Sequence, residues 1–169
     1  ADADLEMALQ ASVFGAVGTA GQRCTSTRRL IIHSSVYSEF SEKLVHAYEQ
    51  LKVGDPLDVN IHMGPLIDQD AVKTYLDAIE ACKLQGGKFI VDGGVLEGER
   101  FESGCYVKPC IAEVKPNFEI VKQETFAPIL YLLTYLSFDD AIAIQNSVPQ
   151  GLSSAIMTLN LREAEKFLS

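Results

Sequence analysis

Tryptophan is absent from this chain, and histidine (three) and proline (six) are sparse. His33, His46 and His62 are not in HxxxH spacing. Cys24, Cys82, Cys105 and Cys110 form neither a CxxC pair nor any zinc-like pattern, so no metal site is expected. Basic residues number 14 against 23 acidic ones, a net charge of −9. That balance argues against nucleic acid as a main partner, because phosphate binding wants clustered lysine and arginine. No apolar run approaches the ~20 residues of a membrane span, and no signal-peptide pattern is visible. Neither membrane insertion nor secretion is expected. If Cys105 and Cys110 share a strand, their odd separation points them to opposite faces, which disfavours a bridge. Free thiols suit a reducing compartment, so the expected location is cytoplasmic.

What is present is ordinary for a globular protein: 47% apolar and 22% charged residues in 169. A chain of this length is one domain or part of a larger protein, and it can bury about 70% of its unfolded surface. Leu5, Leu9, Val13 and Val17 repeat at helical spacing over residues 3–17. A β-rich run follows at Arg29–His33. Val36, Phe40, Leu44, Tyr48 and Leu51 mark a second helix, stopped by Gly54-Asp55-Pro56. Asp68 is placed to cap a third helix whose inner face carries Val72, Tyr75, Leu76, Ile79 and Cys82, with Gly86-Gly87 at its end. Cys82 is therefore expected to be a core thiol.

Lys88–Asp92 predicts a short strand. Gly93, Gly94 and Gly98 follow it, but no helical pattern comes after them, so a loop joining strands is favoured over a phosphate cradle. Tyr106–Val114 predicts one or two strands broken by Pro109. Ala127–Tyr135 is apolar without alternation, which suits a central strand covered on both faces. Ser137 and Asp140 form a capping-box pattern opening a helix with Ala141, Ile142 and Ile144 inside. Ser153–Thr158 predicts a further strand and Leu161–Leu168 a last helix. The alternation implies an α/β fold: an open, largely parallel twisted sheet with flanking helices.

Covalent chemistry is suggested at one place. Gly18-Thr-Ala-Gly21 ends the first helical pattern, and Gln22-Arg23-Cys24 follows before the first strand. The thiol thus lies on a loop between rigid elements, and a cationic neighbour such as Arg23 favours the nucleophilic thiolate. The bland alternative is a small buried hydrophobe, the common fate of a free cysteine.

Four landmarks recur in one order: Gly-Gln-Arg-Cys24-Thr, Gly64-Pro-Leu-Ile67, Gln123-Glu-Thr-Phe-Ala-Pro128 and Asn146-Ser-Val-Pro-Gln-Gly151-Leu-Ser153. With them the chain resembles, over nearly all of its length, the catalytic domain of the NAD(P)-dependent aldehyde dehydrogenase superfamily. It looks most like the α-aminoadipic semialdehyde dehydrogenase (antiquitin) branch. The resemblance implies that Cys24 attacks an aldehyde and passes through a thiohemiacetal and a thioester to the acid. It implies that Glu124 accepts hydrogen bonds from the nicotinamide-ribose hydroxyls of NAD or NADP, and that Phe126 packs near that ring. The i, i+2 spacing of Glu124 and Phe126 on an extended segment would put both on one face. It further implies that Arg23 grips the carboxylate of a small semialdehyde substrate. Without it, Glu124 reads as a solvated charge, Phe126 as core, and Arg23 as a partner of the thiol or of a structural carboxylate.

The general base, the oxyanion asparagine, most of the NAD-binding domain and the C-terminal segment of such enzymes have no counterpart within 1–169. The expectation is a catalytic-domain fragment of a protein of roughly 500 residues, itself a homo-oligomer (dimer or tetramer) and inactive as this piece alone. Two other readings stay open: a non-catalytic binding or assembly module of the same fold, and an acylating dehydrogenase using coenzyme A.

Overall fold

The computed structural model describes residues 2–169. Its elements alternate as expected: α1 (Leu5–Val17), β1 (Arg29–His33), α2 (Ser34–Glu49), α3 (Gln69–Leu84), β2 (Lys88–Val91), β3 (Gly94–Val95), β4 (Val107–Lys108), β5 (Cys110–Glu113), β6 (Ile129–Tyr135), α4 (Phe138–Gln145) and α5 (Leu161–Leu168). Single 3₁₀ turns lie at Glu99–Phe101 and Glu119–Lys122.

One sheet has the order β1-β6-β5-β2. β6 runs parallel to both neighbours, with Arg29 opposite Tyr131 and Cys110 opposite Ile129, and β2 adds an antiparallel edge. β3 and β4 form a separate antiparallel pair, so Gly93 and Gly98 belong to strand connections and Gly94 opens β3 itself. The apolar run foreseen as central is central: Leu130, Leu132 and Leu133 are sealed, because a strand with sheet on both edges and helices on both faces meets no water. Pro109 separates β4 from β5, as a residue without an N–H must.

α1 starts where Asp4 accepts hydrogen bonds from the Glu6 and Met7 N–H groups. Its buried residues are Ala8, Ser12, Ala16 and Val17, with Leu5, Leu9 and Val13 only partly covered beside them. Of the expected stripe Val17 is buried, and along the rest of the helix small residues take the seam because they let a helix approach its neighbours closely. α3 is capped by Asp68 and buries Val72, Tyr75, Ala78, Ile79 and Cys82. The Tyr75 hydroxyl donates to the Lys108 carbonyl at 2.6 Å and accepts from the Gly94 N–H at 2.9 Å, tying β3 and β4 to the core.

Ser137 opens α4 through a reciprocal capping box with Asp140. In α4, Ala141, Ile142 and Ile144 are half-buried, so the helix is a surface element. Replacing Ser137 with alanine removes an acceptor for the Asp140 N–H, and thermal melting of the full-length protein should fall by ~2–4 °C. An unchanged melting temperature would count against the cap as a stabilising element.

One expected strand is absent. Ser153–Thr158 has no ladder partner among the described residues and most of it is exposed. A cavity of about 190 Å³, lined by Leu30, Ile32, Ala155 and Met157 among others, lies between this stretch and the outer edge of β1. Strand-forming composition is not enough without a neighbour within hydrogen-bonding distance. All four cysteines are free thiols. No helix is long and apolar enough to cross a membrane among the described residues.

Candidate active site

The loop carrying Cys24 is fixed at both ends. α1 ends at Gly18, and Ala20 and Gly21 then take left-handed backbone angles (φ 53° and 68°). A Cβ on Gly21 would stand 2.3 Å from the Ala127 carbonyl oxygen, so only glycine lets this loop lie against the Ala127–Pro128 backbone. At the far end the Thr27 N–H donates to the Gly15 carbonyl at 3.0 Å, and a Cβ on Gly15 would meet the Thr27 hydroxyl at 2.3 Å. Between these anchors the Arg23 N–H donates to Ser26 Oγ (3.1 Å) and the Ser26 N–H to the Arg23 carbonyl (3.0 Å). Cys24 sits at the tip of this turn and is exposed.

A cavity of about 250 Å³ opens beside it, lined by Cys24, Arg28, Gln123, Glu124, Gln150 and Leu152 among others. The structure therefore brings Cys24 and Glu124 to one cavity. Phe126 is about two-fifths exposed, and its backbone is left-handed (φ 53°), so the segment is not simply extended. Glu124 and Phe126 nevertheless meet at one group, the Arg28 guanidinium. It lies 3.8 Å from Glu124 Oε1 and 5.1 Å from the centre of the Phe126 ring. A bulky residue at positive φ is uncommon and marks a place where the surroundings override local preference. Arg23 goes elsewhere: its guanidinium lies 5.5 Å over Phe14 of α1, and its Nε is buried without a hydrogen-bond partner among the described residues.

Two contributors escape a reading of the sequence. Gln22 donates from Nε2 to the Pro65 carbonyl (3.2 Å) and accepts from the Ile67 N–H (2.8 Å), so the Gly64–Ile67 segment braces the nucleophile loop. Arg28 is the other. Neighbours at a strand start project to opposite sides. Arg29 donates to the Ile144 and Gln145 carbonyls at the end of α4, both at 3.0 Å. Arg28 points into the nucleophile loop and donates to the Gly21 and Arg23 carbonyls at 3.3 and 3.2 Å. Burial lowers the Arg28 pKa, opposed by the negative charge of Glu124 and by the facing Tyr131 and Cys24. The doublet itself was the available signal, but sequence does not say which arginine faces the loop.

The other thiols are unlike Cys24. Cys82 and Cys110 have no exposed surface, and burial raises both, Cys110 to about 12. Cys105 is half-buried. Among the described residues no group of three or more histidine, cysteine, aspartate or glutamate side chains is placed to hold a metal ion.

Comparison with known proteins adds the following. The model of the aldehyde dehydrogenase family matches residues 1–169. Aldehyde dehydrogenase family 7 member B4 of Arabidopsis thaliana is 48% identical over 94% of the chain. The α-aminoadipic semialdehyde dehydrogenase of Bos taurus is 42% identical over 99% of it. The chain spans 30% of the length of each of these relatives. The crystal structure of an NAD-dependent aldehyde dehydrogenase from Sinorhizobium meliloti superposes with a TM-score of 0.93 at 30% identity, covering 99% of this chain and 33% of that one.

Proposed function

The chain belongs to the aldehyde dehydrogenase family, and from that premise we propose that it supplies the nucleophile and part of the cofactor site of an NAD(P)-dependent aldehyde dehydrogenase. The observation that carries this reading is the exposed Cys24 thiol at the cavity that also takes the Glu124 side chain. The Cys24 thiolate adds to the aldehyde carbon, forming the C–S bond as the carbonyl π electrons move to oxygen. The Cys24 N–H is the donor this chain offers to the resulting oxyanion. A nicotinamide cofactor, which Glu124 and Phe126 would hold, would supply the hydride acceptor needed to take the adduct on Cys24 to the thioester. Water then adds to the thioester carbon, releasing the acid and returning the thiol to Cys24.

The residues present fit such a cofactor. Glu124 is partly exposed, and its nearest cationic nitrogen, at 3.8 Å, is too distant for a hydrogen bond. Its oxygens are therefore open to two neighbouring hydroxyls, for which a carboxylate is the suited acceptor. Phe126 offers a ring face beside it. In this reading residues 1–169 are the catalytic-domain portion of a homo-oligomeric enzyme working in a reducing, cytoplasmic setting, where its four free thiols persist.

The substrate proposed is a small aldehyde bearing a carboxylate, such as α-aminoadipic semialdehyde. Its anchor is Arg23, next to the nucleophile, with its guanidinium lying over the Phe14 ring and a donor unspent at Nε. The similarity to the Bos taurus enzyme supports the same class. In the full-length protein, Arg23→Ala should lower kcat/KM for α-aminoadipic semialdehyde by ~30-fold or more, the cost of an unpaired substrate charge. Activity on a plain aliphatic aldehyde should stay within about threefold of wild type, since that substrate has no carboxylate to lose. NADH formation measures both, and equal losses on the two substrates would remove Arg23 as the anchor.

A further inference from the structure

We propose that Arg28 is the positioning residue of this site: one guanidinium sets the nucleophile loop and the Glu124–Phe126 segment in a fixed relation, so that Cys24 presentation and cofactor binding are coupled through it. The proposal rests on the reading of Cys24 and Glu124 given above.

The geometry is that of a hub. The Arg28 main chain is tied to the central strand, its carbonyl accepting from the Tyr131 N–H at 2.8 Å. Its side chain is only 19% exposed and so is held by protein on most sides. Nη2 donates to the Gly21 and Arg23 carbonyls, which bracket Gln22 and lead directly into Cys24. The same nitrogen stands 3.8 Å from Glu124 Oε1. At that distance the carboxylate is attracted without spending a lone pair, so its direction is biased while its acceptors stay open. The guanidinium also covers the Phe126 ring at 5.1 Å. A cation over a ring face favours the unusual left-handed backbone that puts the ring there. Four groups from two loops that share no regular secondary structure thus converge on one side chain. A lysine keeps the charge but has neither the planar fork nor the reach to serve all of them.

The test uses the full-length protein with Arg28→Met, Arg28→Lys, Glu124→Gln and the Arg28→Met/Glu124→Gln pair. Two readouts do not depend on turnover: the rate of Cys24 alkylation by iodoacetamide without cofactor, mapped by mass spectrometry, and the NAD dissociation constant by calorimetry. Arg28→Met should slow Cys24 alkylation by ~5-fold, since a thiol loses a nearby cation and a fixed loop. It should also weaken NAD binding by ~10-fold, with Arg28→Lys between it and wild type. Glu124→Gln should cost less in the Arg28→Met background than alone, because residues acting as one unit are not additive. A residue holding only the fold would give additive losses. Additive losses, or Arg28→Met values within about twofold of wild type on both readouts, overturn the proposal. If Arg28→Met does not fold, Arg28→Lys decides by the same twofold criterion. An NAD affinity unchanged by Glu124→Gln would instead overturn the reading of Glu124, and with it the cofactor half of the coupling. Cys24 alkylation still judges the loop half.

Discussion

Replacing Cys24 by serine in the full-length protein is expected to lower aldehyde oxidation by ~10,000-fold or more, about 5.5 kcal/mol of transition-state stabilisation. Serine keeps the shape but not the chemistry. At neutral pH a serine alkoxide is far scarcer than a cysteine thiolate, because a hydroxyl is much the weaker acid. NADH formation from an aldehyde measures the loss, with a calorimetric NAD titration to show that the cofactor site persists. The same thiol should dominate iodoacetamide labelling of the wild-type protein. Cys24 is exposed, whereas Cys82 and Cys110 are sealed and their thiols are pushed up by burial, Cys110 to about 12, so neither is a thiolate at pH 8. Residual activity above about 1% in Cys24→Ser, or labelling shared evenly by all four thiols, would remove the nucleophile on which the mechanism stands.

Gly21→Ala is expected to be the most damaging single change that adds only a methyl group. Two costs coincide. The left-handed backbone (φ 68°) is one that alanine resists. The added Cβ would lie 2.3 Å from the Ala127 carbonyl oxygen, 2.4 Å from its carbon and 2.9 Å from the Pro128 nitrogen. All three are main-chain atoms entering the central strand, so no side chain can swing aside. The loop must lift, at ~3 kcal/mol or more. A displacement of ~1 Å at Cys24 is enough to cost ~100-fold in rate. Gly86→Ala is the control. It too has positive φ (92°), but its added Cβ would meet only the Phe118 ring, at an ordinary 3.7 Å, so it bears only the conformational cost of ~1 kcal/mol. Thermal melting and NADH formation in the full-length protein check both. Equal shifts for Gly21→Ala and Gly86→Ala would refute the close contact.

The fold was legible where periodicity and punctuation agree. Arg29–His33, the Asp68 cap, the Ser137–Asp140 box and the unbroken apolar run through Leu130–Leu133 each carry a local physical signal, and each element stands where that signal puts it. Ser153–Thr158 was misread because a strand is a relation between two segments, and its composition says nothing about whether a neighbour is near. In α1 the expected stripe holds at Val17 and elsewhere yields to Ala8, Ser12 and Ala16, because large apolar residues dominate a periodicity count while close helix packing selects small ones. At the site, the motif around Cys24 and the Glu124–Phe126 pair are visible by resemblance. Their junction at Arg28 is not, since it is made by a left-handed Phe126 and by the direction of one member of an arginine doublet. Neither leaves a trace in spacing.

The backbone at Phe126 carries one last consequence. A glycine at this position would relax the left-handed backbone, and at the same stroke would delete a ring that is more than half buried and the surface on which the Arg28 guanidinium rests. The two demands on this residue therefore oppose each other. Local conformational ease is traded for a shaped wall, so position 126 is one to hold fixed in any redesign of this pocket.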